Sequence, residues 1–210
     1  MVFPATLPIW QLIVSLISDN AEKKRAADTS AKTQPPNISA ALLRQLQRKD
    51  EDAWNLIFSQ WNRQIFGYLY CHLPTKEDTE DALSETFVAA VKSINHFDGQ
   101  GAFSTWLYSV AHHKIVDFWR KHRDTDEIPL TLVTSDDVMD LDFKQALLRL
   151  PQVAQEALVL RYSEGLSVKE ISEVIGRSYK GTESLLSRAR TAFRQALLDS
   201  GCFVNGGLDE

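Results

Sequence analysis

The chain reads as an all-α protein of two small helical domains: a four-helix first domain and a helix-turn-helix second domain, joined by a flexible acidic linker. Three observations predict this. Apolar residues recur at helical spacing through most of residues 38–198, glycine or proline punctuates that pattern at short intervals, and acidic residues without a single Lys or Arg fill Asp124–Asp142. With five Trp and ten Phe among 210 residues, the chain carries enough apolar surface for two compact cores. Five segments result: an apolar tail and polar linker (1–37), a first domain (38–123), an acidic interdomain linker (124–142), a helix-turn-helix domain (143–198) and a C-terminal tail (199–210).

Residues 2–18 are uncharged and apolar but fall short of the ~20 needed to span a bilayer, and they contain Pro4 and Pro8. No positive region precedes them, as a secretory signal requires, so any membrane contact would be indirect or made by this tail. The polar stretch Asp19–Pro36, ending in Pro35-Pro36, is a linker. Ser39 is placed to cap a first helix carrying Leu42, Leu43 and Leu46. A second helix follows, with Trp54, Ile57, Phe58, Trp61, Ile65, Phe66 and Leu69 as its core stripe, and stops near Pro74. The third opens at Thr75, with Glu77, Asp78, Glu80 and Asp81 in its first turns, where carboxylates favour the positive end of the helix dipole. After the glycine turn Asp98-Gly99-Gln100-Gly101, a fourth helix runs from about Phe103 to Arg123.

In the second domain, the pattern Phe143, Ala146, Leu147, Leu150 halts at Pro151 and resumes through Val153, Ala157, Leu158 and Leu160. Two further helices flank a turn at Gly176: one with Val168, Ile171 and Ile175, the other from about Lys180 to Leu198. The last has Leu185, Leu186, Ala189, Phe193 and Leu197 facing inward.

Net charge is 23 − 28 = −5, which by itself gives no hint of a nucleic-acid partner. The distribution does. His112–Arg123 holds four basic residues against one acidic, and Arg177–Arg194 holds five against one. On the last helix, Lys180, Glu183, Ser184, Ser187, Arg188 and Arg194 face out. Glu183, Ser184, Ser187 and Arg188 are best placed for base edges in a major groove, and Arg190 and Arg194 for phosphate. The bland alternative is a solvated face on an ordinary bundle helix. In the first domain, Trp106, Tyr108, Phe118 and Trp119 share a helix with Lys114, Arg120, Lys121 and Arg123, a mixture suited to stacking unpaired bases, although most of these rings must serve the core.

Cys71 and Cys202 form neither a disulfide framework nor a zinc motif, which fits a reducing compartment. His113 and Asp117 lie one turn apart, but no further ligand completes a metal site. With no phosphate-cradling loop and no nucleophile elbow, we expect no catalysis, no metal, no cofactor and no small-molecule substrate.

Three ordered motifs resemble the sigma-70 family of RNA polymerase sigma factors, in its extracytoplasmic-function group. Asp78-Thr79-Glu80-Asp81-Ala82-Leu83-Ser84-Glu85-Thr86-Phe87 resembles the family's polymerase-docking helix. Phe97-Asp98-Gly99 with Phe103-Ser104-Thr105-Trp106-Leu107-Tyr108-Ser109-Val110-Ala111 resembles its melting and minus-ten segment. Leu148-Arg149-Leu150-Pro151, Gly165-Leu166-Ser167, Glu170-Ile171 and Ser187-Arg188-Ala189-Arg190 resemble its minus-thirty-five domain.

The resemblance implies a bacterial cytoplasmic protein whose partners are core RNA polymerase, double-stranded promoter DNA and the melted non-template strand, with an anti-sigma factor as a further candidate. Asp78, Asp81, Glu85 and Phe87 would bind polymerase. Asp98, Gly99, Phe103, Trp106, Lys114, Arg120, Lys121 and Arg123 would serve the minus-ten DNA, and Lys180, Glu183, Ser184, Ser187, Arg188, Arg190 and Arg194 the minus-thirty-five DNA. The linker's carboxylates could mimic nucleic acid along the polymerase's RNA exit path. The sequence departs from the family pattern at His112-His113, where Arg-Asn is usual, and at Glu183 and Leu185, which implies a promoter preference different from the family's usual one. The competing reading is a helix-turn-helix regulator that never engages polymerase, which leaves the acidic helix as dipole complementarity alone.

Overall fold

The computed structural model describes residues 38–122 and 145–199, all helices and turns. The apolar tail, the acidic linker, the C-terminal tail beyond Asp199, Arg123 and Phe143 lie outside the described residues, as does Cys202 within that tail.

The first three helices begin where side chains cap them. The first, α1 (Ala40–Gln47), starts at Ser39, whose Oγ accepts from the Leu42 amide at 3.1 Å. The second, α2 (Glu51–Tyr70), is capped by Asp50, which accepts from the Ala53 amide. The third, α3 (Lys76–Ser93), is capped by Thr75 through the Asp78 amide and ends in a 3-10 turn, Ile94–His96. The fourth, α4 (Phe103–His122), closes the first set.

Of the expected stripe on α2, Ile57, Trp61, Ile65 and Leu69 are buried, together with Ala53 and Tyr68, but Phe58 is 45% exposed. The buried set repeats mainly every fourth residue, a narrower stripe than the one read from hydrophobicity, and Phe58 falls outside it. The core here is aromatic. Trp61 meets Phe103 and Tyr108 edge-on, and Tyr108 meets Tyr68 at 5.3 Å.

A helical turn over 145–148 leads to Pro151, after which α5 (Gln152–Tyr162) begins. Gly165, at φ +73°, permits the turn into α6 (Val168–Val174), where Ser167 and Glu170 form a reciprocal capping box. Gly176, at φ +65°, then allows the tight turn to α7 (Tyr179–Asp199). Leu185, Leu186, Ala189, Phe193 and Leu197 all face inward as expected. On α5, every residue from Ala154 to Leu160 is buried, Gln155 and Glu156 included. A helix covered all round must be packed from both sides, and α5 is: α7 and α6 lie against it, while its own residues reach the first set of helices. The two helical sets therefore touch directly, with α4 lying against α6.

Candidate nucleic-acid and polymerase interfaces

On α3, Asp81 and Glu85 are exposed, while Asp78 is half-buried because its carboxylate accepts from the capping Thr75 hydroxyl at 2.5 Å. Phe87 is buried, its ring edge-on to the exposed Phe58 at 4.9 Å. Beside this pair Val88 is 53% exposed, so α2 and α3 together present an apolar surface next to the carboxylates. Sequence reading assigned Phe58 to the core. The only available signal was that position 58 breaks the four-residue repeat of the buried stripe.

The glycine turn is held in shape. Asp98 Oδ1 accepts from the Gln100 amide at 2.9 Å, and Gln47 Nε2 donates to the Phe97 carbonyl. Gly99 sits at φ +79°, and a Cβ there would lie 3.1 Å from Leu43 Cδ2, so both conformation and space select glycine. Asp98 and Gly99 are exposed, but Phe103 is wholly buried in a cluster with Phe97 and Trp106. Direct contact with a base is closed to Phe103 in this arrangement. It supports the turn from beneath, while Trp106 is only half-buried.

Lys114, Arg120 and Lys121 follow along α4. Two of these cations are held by carboxylates: Lys114 Nζ lies 3.2 Å from Glu85 Oε2, and Arg120 Nη2 lies 2.8 Å from Asp117 Oδ1. The structure thus joins a residue expected to bind DNA with one expected to bind polymerase. His113 Nδ1 donates to the Ser109 carbonyl, and no group of three or more potential metal ligands exists among the described residues.

On α7, Lys180, Glu183, Ser184, Ser187, Arg188 and Arg194 are exposed and Arg190 is half-buried. Arg188 Nε donates to the Ser184 carbonyl at 3.3 Å. Tyr179 at the start of the helix is 51% exposed, a surface aromatic that sequence reading passed over.

One further polar cluster was not anticipated. Tyr108 and His112 on α4 face Glu164 and Glu156 of the second helical set. The Tyr108 hydroxyl donates to Glu164, and His112 Nδ1 donates to Glu156 Oε2 at 2.7 Å. Burial pushes the Glu164 carboxyl above the usual range, against the opposing effect of hydrogen bonds from Tyr108 and Ser163. Burial likewise raises Tyr108, reinforced by the charge of Glu164, and lowers His72, against the pull of Glu156. Partners 44 and 56 positions apart leave no periodic trace in a sequence.

Residues 57–125 match the family described as Sigma-70 region 2, and residues 140–193 match Sigma-70, region 4. RNA polymerase sigma factor YlaC of Bacillus subtilis is 30% identical over 166 residues, covering 72% of this chain and 96% of that protein. The ECF RNA polymerase sigma factor SigW of the same organism is 27% identical over 178 residues, covering 75% and 95%. Two solved structures share the fold. CnrH, solved in complex with the cytosolic domain of CnrY, is 24% identical, with a TM-score of 0.62 over 76% of this chain and 96% of that chain. The sigma factor RpoE of Bartonella quintana, solved with the anti-sigma factor NepR, is 18% identical, with a TM-score of 0.57 over 69% and 96%.

Proposed function

The chain belongs to the sigma-70 family of RNA polymerase sigma factors, in its extracytoplasmic-function group, and from that premise we propose how its surfaces divide the work of starting transcription. It is an alternative sigma factor, a non-enzymatic protein that binds core RNA polymerase and directs promoter recognition, melting and initiation.

Polymerase docks on the exposed carboxylates Asp81 and Glu85, with Asp78 fixing the helix start. Phe87 acts from below by propping Phe58, which with Val88 adds apolar area to the charged contact. Charge complementarity steers such an encounter and desolvated rings hold it. The turn at Asp98-Gly99, made rigid by Gln47 and Gly99's own geometry, receives a base flipped from the minus-ten non-template strand. Trp106 offers a half-buried ring for stacking, and Lys114, Arg120, Lys121 and Arg123 neutralise the strand's phosphates. Helix α7 enters the major groove of the minus-thirty-five element. Glu183, Ser184, Ser187 and Arg188 approach base edges there, with Lys180, Arg190 and Arg194 on phosphate.

The observation that carries this reading is the ordered coexistence of an acidic docking helix, a braced turn before a basic aromatic helix, and a helix-turn-helix with its cations outward. A regulator that never meets polymerase needs only the last. Transcription places the protein in the bacterial cytoplasm. No described helix is long and apolar enough to cross a membrane. An anti-sigma factor is a further partner of the assembled protein, as in the complex of the Bartonella quintana relative. Mixing the purified chain with core polymerase tests the assignment: a stable complex and specific run-off transcripts are expected. DNA binding without either would return the helix-turn-helix regulator.

A further inference from the structure

The first turn of α7 is tied down on both sides. Ser178 Oγ accepts from the Gly181 amide at 3.2 Å in the manner of a helix cap, and the Ser178 carbonyl takes both the Thr182 amide at 2.9 Å and its hydroxyl at 3.1 Å. Thr182 is wholly buried, and the Arg177 amide donates to the Ser172 carbonyl of α6 at 2.9 Å. A Cβ at position 181 would stand 3.0 Å from Ser178 Oγ, closer than carbon side chains ordinarily come, so glycine there leaves the cap its room.

From this braced turn projects Tyr179, 51% exposed. Among the exposed side chains of α7, Tyr179 and Leu198 carry large apolar surface, and they stand at opposite ends of the helix. Tyr179 precedes Glu183 by one turn, so the two are neighbours on the face that also carries Lys180, Ser184 and Ser187. Helical side chains lean toward the N-terminus, so the ring of the first residue reaches ahead of the helix, at the end of a recognition helix that contacts base edges. A tyrosine there supplies broad, rigid area while immobilising two side-chain torsions.

The chemistry of the position selects its target. Phosphate is served at this tip by the exposed cations Arg177 and Lys180, for which a neutral hydroxyl is a weak substitute. The ring offers apolar surface instead, and the apolar group that base pairs display in the major groove is the 5-methyl of thymine.

We propose that Tyr179 is a specificity-determining residue of the minus-thirty-five contact, its ring packing on the 5-methyl group of a thymine. The proposal rests on α7 entering the major groove, the reading given above. Preference for thymine at that pair then comes from burying a methyl group, which sets it apart from pairs read through hydrogen bonds by Glu183 and Arg188.

Removing the methyl group from the DNA tests this without disturbing the fold. A duplex carrying the preferred minus-thirty-five sequence is selected from a randomised pool by the full-length chain with core polymerase, and each of its thymines is replaced in turn by deoxyuridine. One of these replacements should weaken competition binding by about fourfold, the value of burying one methyl group. Tyr179→Ala should abolish that difference, so that thymine and deoxyuridine bind alike at this pair, while Tyr179→Phe keeps it. Absence of any methyl-sensitive thymine in the element, or the same fourfold difference in Tyr179→Ala, would overturn the proposal. So would an equal loss on every sequence for both Tyr179→Ala and Tyr179→Phe, which assigns the hydroxyl to phosphate. If no complex with polymerase forms, the selection and titrations use the full-length chain alone. Methyl sensitivity that disappears in Tyr179→Ala then upholds Tyr179, while the polymerase docking proposed above falls. A chain that binds no duplex in either form removes α7 from the groove, and Tyr179 with it.

Discussion

The two basic helices, α4 and α7, carry similar charge but hold it differently. On α4, Lys114 and Arg120 are already paired with Glu85 and Asp117, and one stripe is covered by the second domain. On α7, Arg188 leans only on the Ser184 carbonyl, and Lys180, Ser184 and Ser187 stand exposed. A helix whose cations have carboxylate partners must exchange them to bind a phosphate. A helix with outward cations is ready for duplex DNA as it stands. The difference teaches that basic clusters of equal size in a sequence need not be equally available. On the proposed function, the α7 surface can meet duplex DNA as it stands, whereas α4 must first exchange its carboxylate partners.

The comparison breaks first if α4 is not the structural keystone of its domain. Phe103→Ala removes a fully buried ring from the cluster with Phe97, Trp61 and Trp106, and should cost about 3–5 kcal/mol in urea denaturation. A loss near zero would mean the turn is held by other contacts. On α7, Arg188→Ala should weaken binding to the preferred promoter by about 1–3 kcal/mol and relax choice at one base, read by competition against single-base variants. An equal loss on every sequence reassigns Arg188 to phosphate. Glu85→Lys reverses an exposed charge and releases Lys114. Polymerase affinity should fall by about 1 kcal/mol or more in a titration, while stability changes by less than about 1 kcal/mol, since Glu85 is exposed and Lys114 only half-buried. Unchanged affinity would remove Glu85 from the docking face. The smallest effect belongs to Asp117→Asn, which frees Arg120 at a stability cost of about 0.5 kcal/mol or less. It should nevertheless tighten single-strand binding at low salt, and equal binding would show that the Arg120 pair never limits α4.

Much of this was legible in the sequence because helices are local objects. Ser39, Thr75 and Ser167 cap helices through amides only three residues ahead, and Gly99 and Gly176 mark turns by a backbone conformation that other residues resist. The inward face of α7 followed from apolar spacing alone, and so did the outward positions of Lys180, Glu183, Ser184, Ser187, Arg188 and Arg194. The order of the motifs, compared with known patterns, identified the family.

Tertiary structure decided what depends on a second surface. Phe58 is apolar yet exposed because α3 brings Phe87 against one edge of its ring and nothing described covers the rest. Phe103 is aromatic beside the exposed Asp98-Gly99 turn yet buried, because Trp61 and Phe97 close over it. Gln155 and Glu156 are polar yet buried, because helices approach α5 from both sides. Periodicity along one helix records which face is apolar, but a carboxylate's burial is set by whatever packs against it. The meetings of Tyr108 with Glu164 and of His112 with Glu156 therefore exist only once the two domains have docked.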